Sequence, residues 1–131
     1  MILADTSVWI DYLRGTATPA AEALDAVLGK EEIVIGDLIL VELLQGYRQD
    51  REASEIEAIL SQLPIVTLCG PDLAVRAAKN YRFLRARGIT VRGAIDVIIA
   101  TWCIAHSARL IAADRDFSAM EKWLGLNRLT N

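Results

Sequence analysis

The sequence predicts a three-layer α/β/α sandwich around a central parallel sheet of four to five strands, and three observations predict it. Short apolar runs at residues 2–5, 33–36, 65–68 and 109–113 alternate with helical patterns, the order expected of strand–helix–strand units. Within each run the residues are largely apolar throughout rather than alternating with polar ones, as in strands covered on both faces. The chain has 131 residues, enough for one domain with a real core and too few for two.

Taken in order, Ile2-Leu3-Ala4 leads to Asp5 as the first strand, and Ser7 to Arg14 reads as a short helix stopped by Gly15. Thr18-Pro19 supplies an N-cap followed by proline at the first helical position, and Gly29 ends that helix. Ile33-Val34-Ile35-Gly36 is the second strand. Asp37 is expected to cap an apolar helix reaching about Tyr47, and Asp50 a more polar one reaching about Gln62. Ile65 to Leu68 is the third strand. Gly70-Pro71-Asp72 opens a helix with basic residues at 76, 79, 82 and 85, closed by Gly88. Gly93 to His106 is apolar nearly all round, the mark of a buried helix. Arg109 to Ala113 forms the fourth strand, Asp114-Arg115-Asp116 a turn, residues 118–124 a last short helix, and 127–130 a possible edge strand.

Composition narrows the function classes. Hydrophobic residues make up 53% of the chain, which argues against disorder. No apolar stretch approaches the ~18–20 residues of a membrane span, because the longest, 94–105, is interrupted by Asp96. An acid at position 5 and no basic run before it argue against a secretory signal, so the expected location is the cytoplasm. Cys69 and Cys103 lack the close spacing of a zinc knuckle or redox pair and read as small buried hydrophobes. His106 is the only histidine, leaving no second imidazole for a His-rich metal site, and it reads as the polar end of a helix. The net charge of -3 gives no overall vote for nucleic acid.

The chemistry lies in four acids set in apolar surroundings: Asp5, Glu42, Asp96 and Asp114. Ionised carboxylates are expensive to bury unless something positive joins them. In open α/β sheets the ligand site lies beyond the carboxyl ends of the strands, where strand order reverses. Asp5 ends the first strand, Asp114 follows the fourth, and Asp96 falls in the first turn of the helix leading to the fourth. Glu42 has Leu38 and Ile39 one turn behind it, so it is not part of a solvated stripe. Each acid taken singly has an ordinary explanation in the helix dipole, a turn or a surface position. Their joint placement at one sheet edge favours a site that holds a divalent metal, and the chemistry that follows is phosphodiester hydrolysis.

Thr6 and Ser7 read first as caps of the first helix, although they could also orient Asp5 or bind a phosphate oxygen. Between Arg76 and Arg92 lie six basic residues, Arg76, Lys79, Arg82, Arg85, Arg87 and Arg92, and no acid. They are either a solvated face favoured by the helix dipole or a set of phosphate contacts to RNA that position without reading sequence. Trp9, Tyr12, Trp102 and Trp123 fall in helical patterns and are expected in the core.

With these residues in view, the chain resembles the PIN-domain ribonucleases, and among them the VapC toxins of bacterial toxin–antitoxin pairs. The resemblance spans the length of the chain. It rests on Ile2-Leu3-Ala4-Asp5-Thr6-Ser7, on Glu42 within Leu-Val-Glu-Leu-Leu-Gln-Gly, on Asp96 within Ala-Ile-Asp-Val-Ile-Ile-Ala, and on Asp114-Arg115-Asp116-Phe117. It implies a PIN-like sheet of order 3-2-1-4-5 and Mg²⁺ or Mn²⁺ bound chiefly by Asp5 and Asp96. Glu42 and Asp114 would complete the acidic pocket, Asp116 would be peripheral, and Thr6 would supply the polar residue after the first acid. It also implies an endoribonuclease, a homodimer, and a VapB-like antitoxin partner. Two phosphoaspartate enzyme types fit less well. A haloacid dehalogenase needs a second aspartate where Ser7 stands, and a receiver domain needs one at the end of the third strand, where Thr67, Leu68 and Cys69 stand. A catalytically silent PIN-fold binding module is the remaining alternative, and four intact acids weigh against it.

Overall fold

The computed structural model describes residues 1–129. The strands are β1 (Ile2–Ala4), β2 (Ile33–Gly36), β3 (Ile65–Val66) and β4 (Arg109–Ile111). The helices are α1 (Thr6–Arg14), α2 (Pro19–Val27), α3 (Asp37–Leu44), α4 (Asp50–Leu60), α5 (Pro71–Arg85), α6 (Ala94–Ala105) and α7 (Asp116–Leu124). All pairings are parallel and the sheet order is β3-β2-β1-β4. Ile2 sits between Ile33 and Arg109, and Ala4 is level with Ile111. The chain thus steps outward on one side of β1 through β2 and β3, then returns to its other side as β4. The reversal of strand order falls at the β1/β4 boundary, where an open α/β sheet offers its ligand site.

Helices pack against the sheet as two groups, one joining α1 to α2 and α3, the other joining α6 to α5 and α7, giving the expected three layers. β1 and β2 are buried along their whole lengths, which is why they read as unbroken apolar runs. Ile2, Leu3, Ile35, Ile39, Ile99, Leu110, Ile111 and Phe117 belong to one core cluster. Thr101, the deeply buried hydroxyl, donates to the Val97 carbonyl at 2.6 Å and accepts from Asn80 at 3.0 Å, tying α5 to α6.

Several elements differ from the sequence expectation, each for a local reason. The possible fifth strand at 127–130 is reduced to a single parallel bridge between Leu110 and Arg128, and Thr130 lies outside the described residues. Leu110 donates to Asn127 and accepts from Leu129, so this edge is paired over too short a stretch for a strand. The third and fourth strands are shorter than their apolar runs, and α7 begins two residues earlier, at Asp116. Asp37 does not cap α3, nor Asp50 α4; Gly36 and Gln49 hold the cap positions. Asp37 Oδ1 instead accepts from Leu38 N–H at 2.9 Å and from Leu68 N–H at 3.0 Å. It fastens the chain beyond β3 to the start of α3. The α3 pattern also stops at Leu44 rather than Tyr47.

Gly36 stands where β2 passes into α3, and the Leu68 side chain fills the space a Cβ would need, with Cδ1 2.2 Å from its place. Leu68 is fully buried, so its side chain must shift within the core to admit a Cβ. Gly36→Ala is therefore expected to destabilise the protein by about 1–3 kcal/mol through overpacking. Chemical denaturation checks this: an unchanged midpoint would mean that Leu68 can repack.

Candidate active site

Asp5 follows the last residue of β1, and its N–H donates to the Ile111 carbonyl at 2.9 Å, so the β1 and β4 ends are stitched together at the acid itself. Its side chain is 9% exposed. It occupies the N-cap position of α1 without making a side-chain cap. Asp96 lies in the first turn of α6, Glu42 in the later part of α3, Asp114 in the loop that follows β4, and Asp116 at the first position of α7. A cleft of about 490 Å³ is bordered by Glu42, Asp96, Asp114 and Arg92.

Electrostatics shows that the acids share one field. Burial holds the Asp5 carboxyl above its ordinary range; the Thr6 N–H opposes this, and the nearby charges of Glu42 and Asp114 add to it. Asp96 is pushed up to about 6, first by burial and then by Asp5, Asp114, Asp116 and Glu42. The structure therefore brings together all four acids read from the sequence, with Asp116 beside them. Asp96, Asp114 and Asp116 offer oxygens within 4.8 Å of one another.

Thr6 and Ser7 do not cap α1. Thr6 Oγ1 donates to Glu42 Oε1 at 2.7 Å, joining α1 to α3 across the cleft, and Ser7 Oγ makes a long 3.5 Å contact to Asp5 Oδ2. With Asp5 itself in the cap position, the hydroxyls that follow it are inside the helix and free to serve the acids.

The basic residues divide. Arg76, Lys79, Arg82 and Arg85 are exposed along α5, and none of them borders the acidic cleft. Arg85 lies over the Tyr81 ring, and Arg87 over Phe83 at 3.4 Å and near Trp123. Trp123 is 42% exposed rather than in the core, unlike Trp9 and Trp102, and Tyr12 is half-buried. Arg92 belongs to the acids: its Nη2 is 2.8 Å from Asp114 Oδ2 and its Nε 3.4 Å from Asp116 Oδ2. Sequence reasoning grouped Arg92 with the basic helix and missed this pairing. The available signal was its place four residues before Asp96, just ahead of Gly93, where a new helix starts.

Among the described residues, no histidine or cysteine borders the cleft. His106 stacks on Trp102 at the far end of α6, roughly 15 Å along the helix from Asp96 at 1.5 Å per residue. Burial pushes the Cys103 thiol up to about 12, which keeps it protonated and inert. Cys69 is only half-buried, against the sequence expectation, with its Sγ 3.7 Å from the Gly70 carbonyl. The donors at the cleft are all carboxylate oxygens, which suit a hard divalent cation such as Mg²⁺ or Mn²⁺.

The PIN domain family pattern matches residues 2–122. Ribonuclease VapC11 of Mycobacterium tuberculosis is 34% identical over 124 residues, covering 93% of this chain and 92% of that protein. Ribonuclease VapC32 of the same organism is 35% identical over 122 residues, covering 91% and 89%. Among solved structures, VapBC-1 from nontypeable Haemophilus influenzae superimposes with a TM-score of 0.77 at 18% identity, covering 99% of this chain and 98% of that one. The sarcin-ricin loop cleaving toxin VapC20 of M. tuberculosis gives 0.68 at 16% identity, with 100% of both chains covered. A parallel sheet reversing at β1/β4, a cluster of acids at that reversal, and relatives matching over nine-tenths of the chain lead to one assignment: the protein belongs to the PIN domain family, among the VapC ribonucleases.

Proposed function

We propose that the protein is the toxin of a type II toxin–antitoxin pair and a Mg²⁺- or Mn²⁺-dependent endoribonuclease that hydrolyses RNA phosphodiester bonds. The observation that carries this reading is the convergence of Glu42, Asp96 and Asp114 on one cleft with buried Asp5 in their field, Asp96 being pushed up to about 6 first by burial and then by its neighbours' charge. Carboxylates so arranged repel one another until a cation joins them.

Asp5 and Asp96 would hold the ion, with Glu42 and Asp114 completing the shell. When bound, such an ion supplies positive charge at the scissile phosphodiester and acidifies water. Thr6, by donating to Glu42, fixes that carboxylate's direction, and Asp116 N–H does the same for Asp114 Oδ1 at 2.9 Å. Arg76, Lys79, Arg82 and Arg85 on α5 are the cations we assign to the RNA backbone.

VapBC complexes among the fold neighbours support a VapB-like antitoxin as partner. Exposed Val41, Ile59, Ile65 and Val75 offer apolar surface for that partner and for a second copy of the chain in a homodimer. Among the described residues no helix is long and apolar enough to cross a membrane, in keeping with action on RNA in the cytoplasm.

Purified protein is expected to cleave RNA only when Mg²⁺ or Mn²⁺ is added, and Asp96→Ala to remove that dependence together with the cleavage. Identical, metal-independent behaviour of the two proteins would instead favour a silent PIN-fold binding module. Mapping the cleaved ends after brief expression in cells would identify the RNA.

A further inference from the structure

We propose that Arg92 is the cleft's built-in second cation, so that the protein binds one divalent ion, at the Asp5/Asp96 end, and uses the guanidinium at the Asp114/Asp116 end. The inference rests on the cleft being a metal site, and it specifies how many ions that site takes.

The two ends of the cleft are served differently. At one end, both oxygens of Asp114 are engaged, Oδ1 by the Asp116 N–H at 2.9 Å and Oδ2 by Arg92 Nη2 at 2.8 Å. Asp116 Oδ2 receives Arg92 Nε at 3.4 Å. One planar fork thus spans two carboxylates, a geometry that suits guanidinium and that a compact ammonium reproduces poorly. At the other end, Asp5 has the Thr6 N–H and a long contact from Ser7. Its partners are neutral dipoles rather than a cation.

Of the five carboxylates (Asp5, Glu42, Asp96, Asp114 and Asp116), Asp114 and Asp116 already face a guanidinium, whereas Asp5 is flanked by neutral donors and by other acids. Asp96, Asp114 and Asp116 stand close enough to hold an ion together, but two of the three are already held by Arg92. A second ion would have to displace the guanidinium from both.

The anchoring of Arg92 also fits this role. It precedes Gly93, the N-cap of α6, whose first turn carries Asp96, so one helix start positions both the arginine and the metal-holding acid. Its side chain is 77% exposed. An RNA phosphate entering the cleft can therefore share the guanidinium without burying it. Arg92 acts here as a positioning residue, setting cation number and the place of the incoming phosphate.

Mn²⁺ bound per chain, counted by equilibrium dialysis and isothermal titration in the absence of RNA, tests the proposal. Wild type is expected to bind one ion. Arg92→Gln is expected either to take a second ion or to bind the first about two- to fivefold more tightly, the range set by losing the exposed ion pairs to Asp114 and Asp116. Arg92→Lys, which restores the charge but not the fork that spans Asp114 and Asp116, should bind Mn²⁺ with an affinity between those of wild type and Arg92→Gln. Two ions in wild type, or unchanged stoichiometry and affinity in a normally melting Arg92→Gln, would overturn the proposal. Failure of the metal-site reading itself looks different: neither protein would then bind Mn²⁺ at all.

Discussion

Asp5→Asn is expected to abolish cleavage and, at the same time, to stabilise the metal-free protein. Asp5 is buried at the junction of β1, β4 and α1, and burial is the largest influence holding its carboxyl above the ordinary range. Asparagine keeps the shape and removes the charge, so the repulsion from Glu42 and Asp114 disappears. Loss of a metal-holding carboxylate removes several kcal/mol of transition-state stabilisation. At 1.36 kcal/mol per tenfold in rate, that is about 10³-fold or more. Cleavage of a labelled RNA in Mn²⁺, beside a melting curve in EDTA, measures both effects. Near-wild-type cleavage by Asp5→Asn would remove it from the metal shell. A lowered metal-free Tm would mean that the negative charge at Asp5 is needed for folding rather than tolerated.

The second large effect is a metal- and pH-dependent stability governed by Asp96. Its carboxyl titrates near 6 in the folded protein against an ordinary value of 3.8. Between those values the folded state binds more protons than the unfolded state, so this group's contribution to stability falls as pH rises through that window. The loss is complete above about pH 6. Because Asp96 is only partly buried, solvent screening reduces it to about 1–2 kcal/mol. Asp5, also shifted upward, acts in the same direction. The Tm difference between Asp96→Asn and wild type in EDTA should therefore grow from pH 4.5 to pH 7 in favour of the variant.

Mn²⁺ should reverse that penalty, since binding to the folded state at a hundred times Kd adds about 2.7 kcal/mol. For a chain of this size that is roughly 10 °C in Tm. The metal needs ionised carboxylates, so the shift should be large at pH 7.5 and small at pH 5. Equal melting curves with and without Mn²⁺ at pH 7.5 would rule out a metal held by these acids.

Much of the fold was legible because its signals are local. Gly15 and Gly29 sit at positive φ at or just beyond the ends of α1 and α2, where their place in the sequence put them. Thr18 Oγ1 accepts the Ala21 N–H at 3.1 Å, as its position before Pro19 suggests. Two of the cap assignments that failed, at Asp37 and Thr6, did so because a longer-range partner took the side chain. Asp37 bonds Leu68, 31 residues on, and Thr6 bonds Glu42, 36 residues on. Trp123 lies on a helical stripe like a core residue. The core beside α7 is filled by Phe117 and Met120, and Arg87 covers the exposed indole instead.

By itself, the sequence determined the strand–helix alternation, the parallel sheet, and which acids sit in apolar company at strand and helix ends. Periodicity, glycine placement and burial preference act over a few residues and can be read along the chain. Only the tertiary structure decided that Arg92 pairs with Asp114 and Asp116, that Thr6 serves Glu42, and that the fifth strand is reduced to one bridge. These outcomes depend on which segments meet after the sheet reverses at β1/β4, and a charge or hydroxyl takes the partner that packing brings within 3 Å or so.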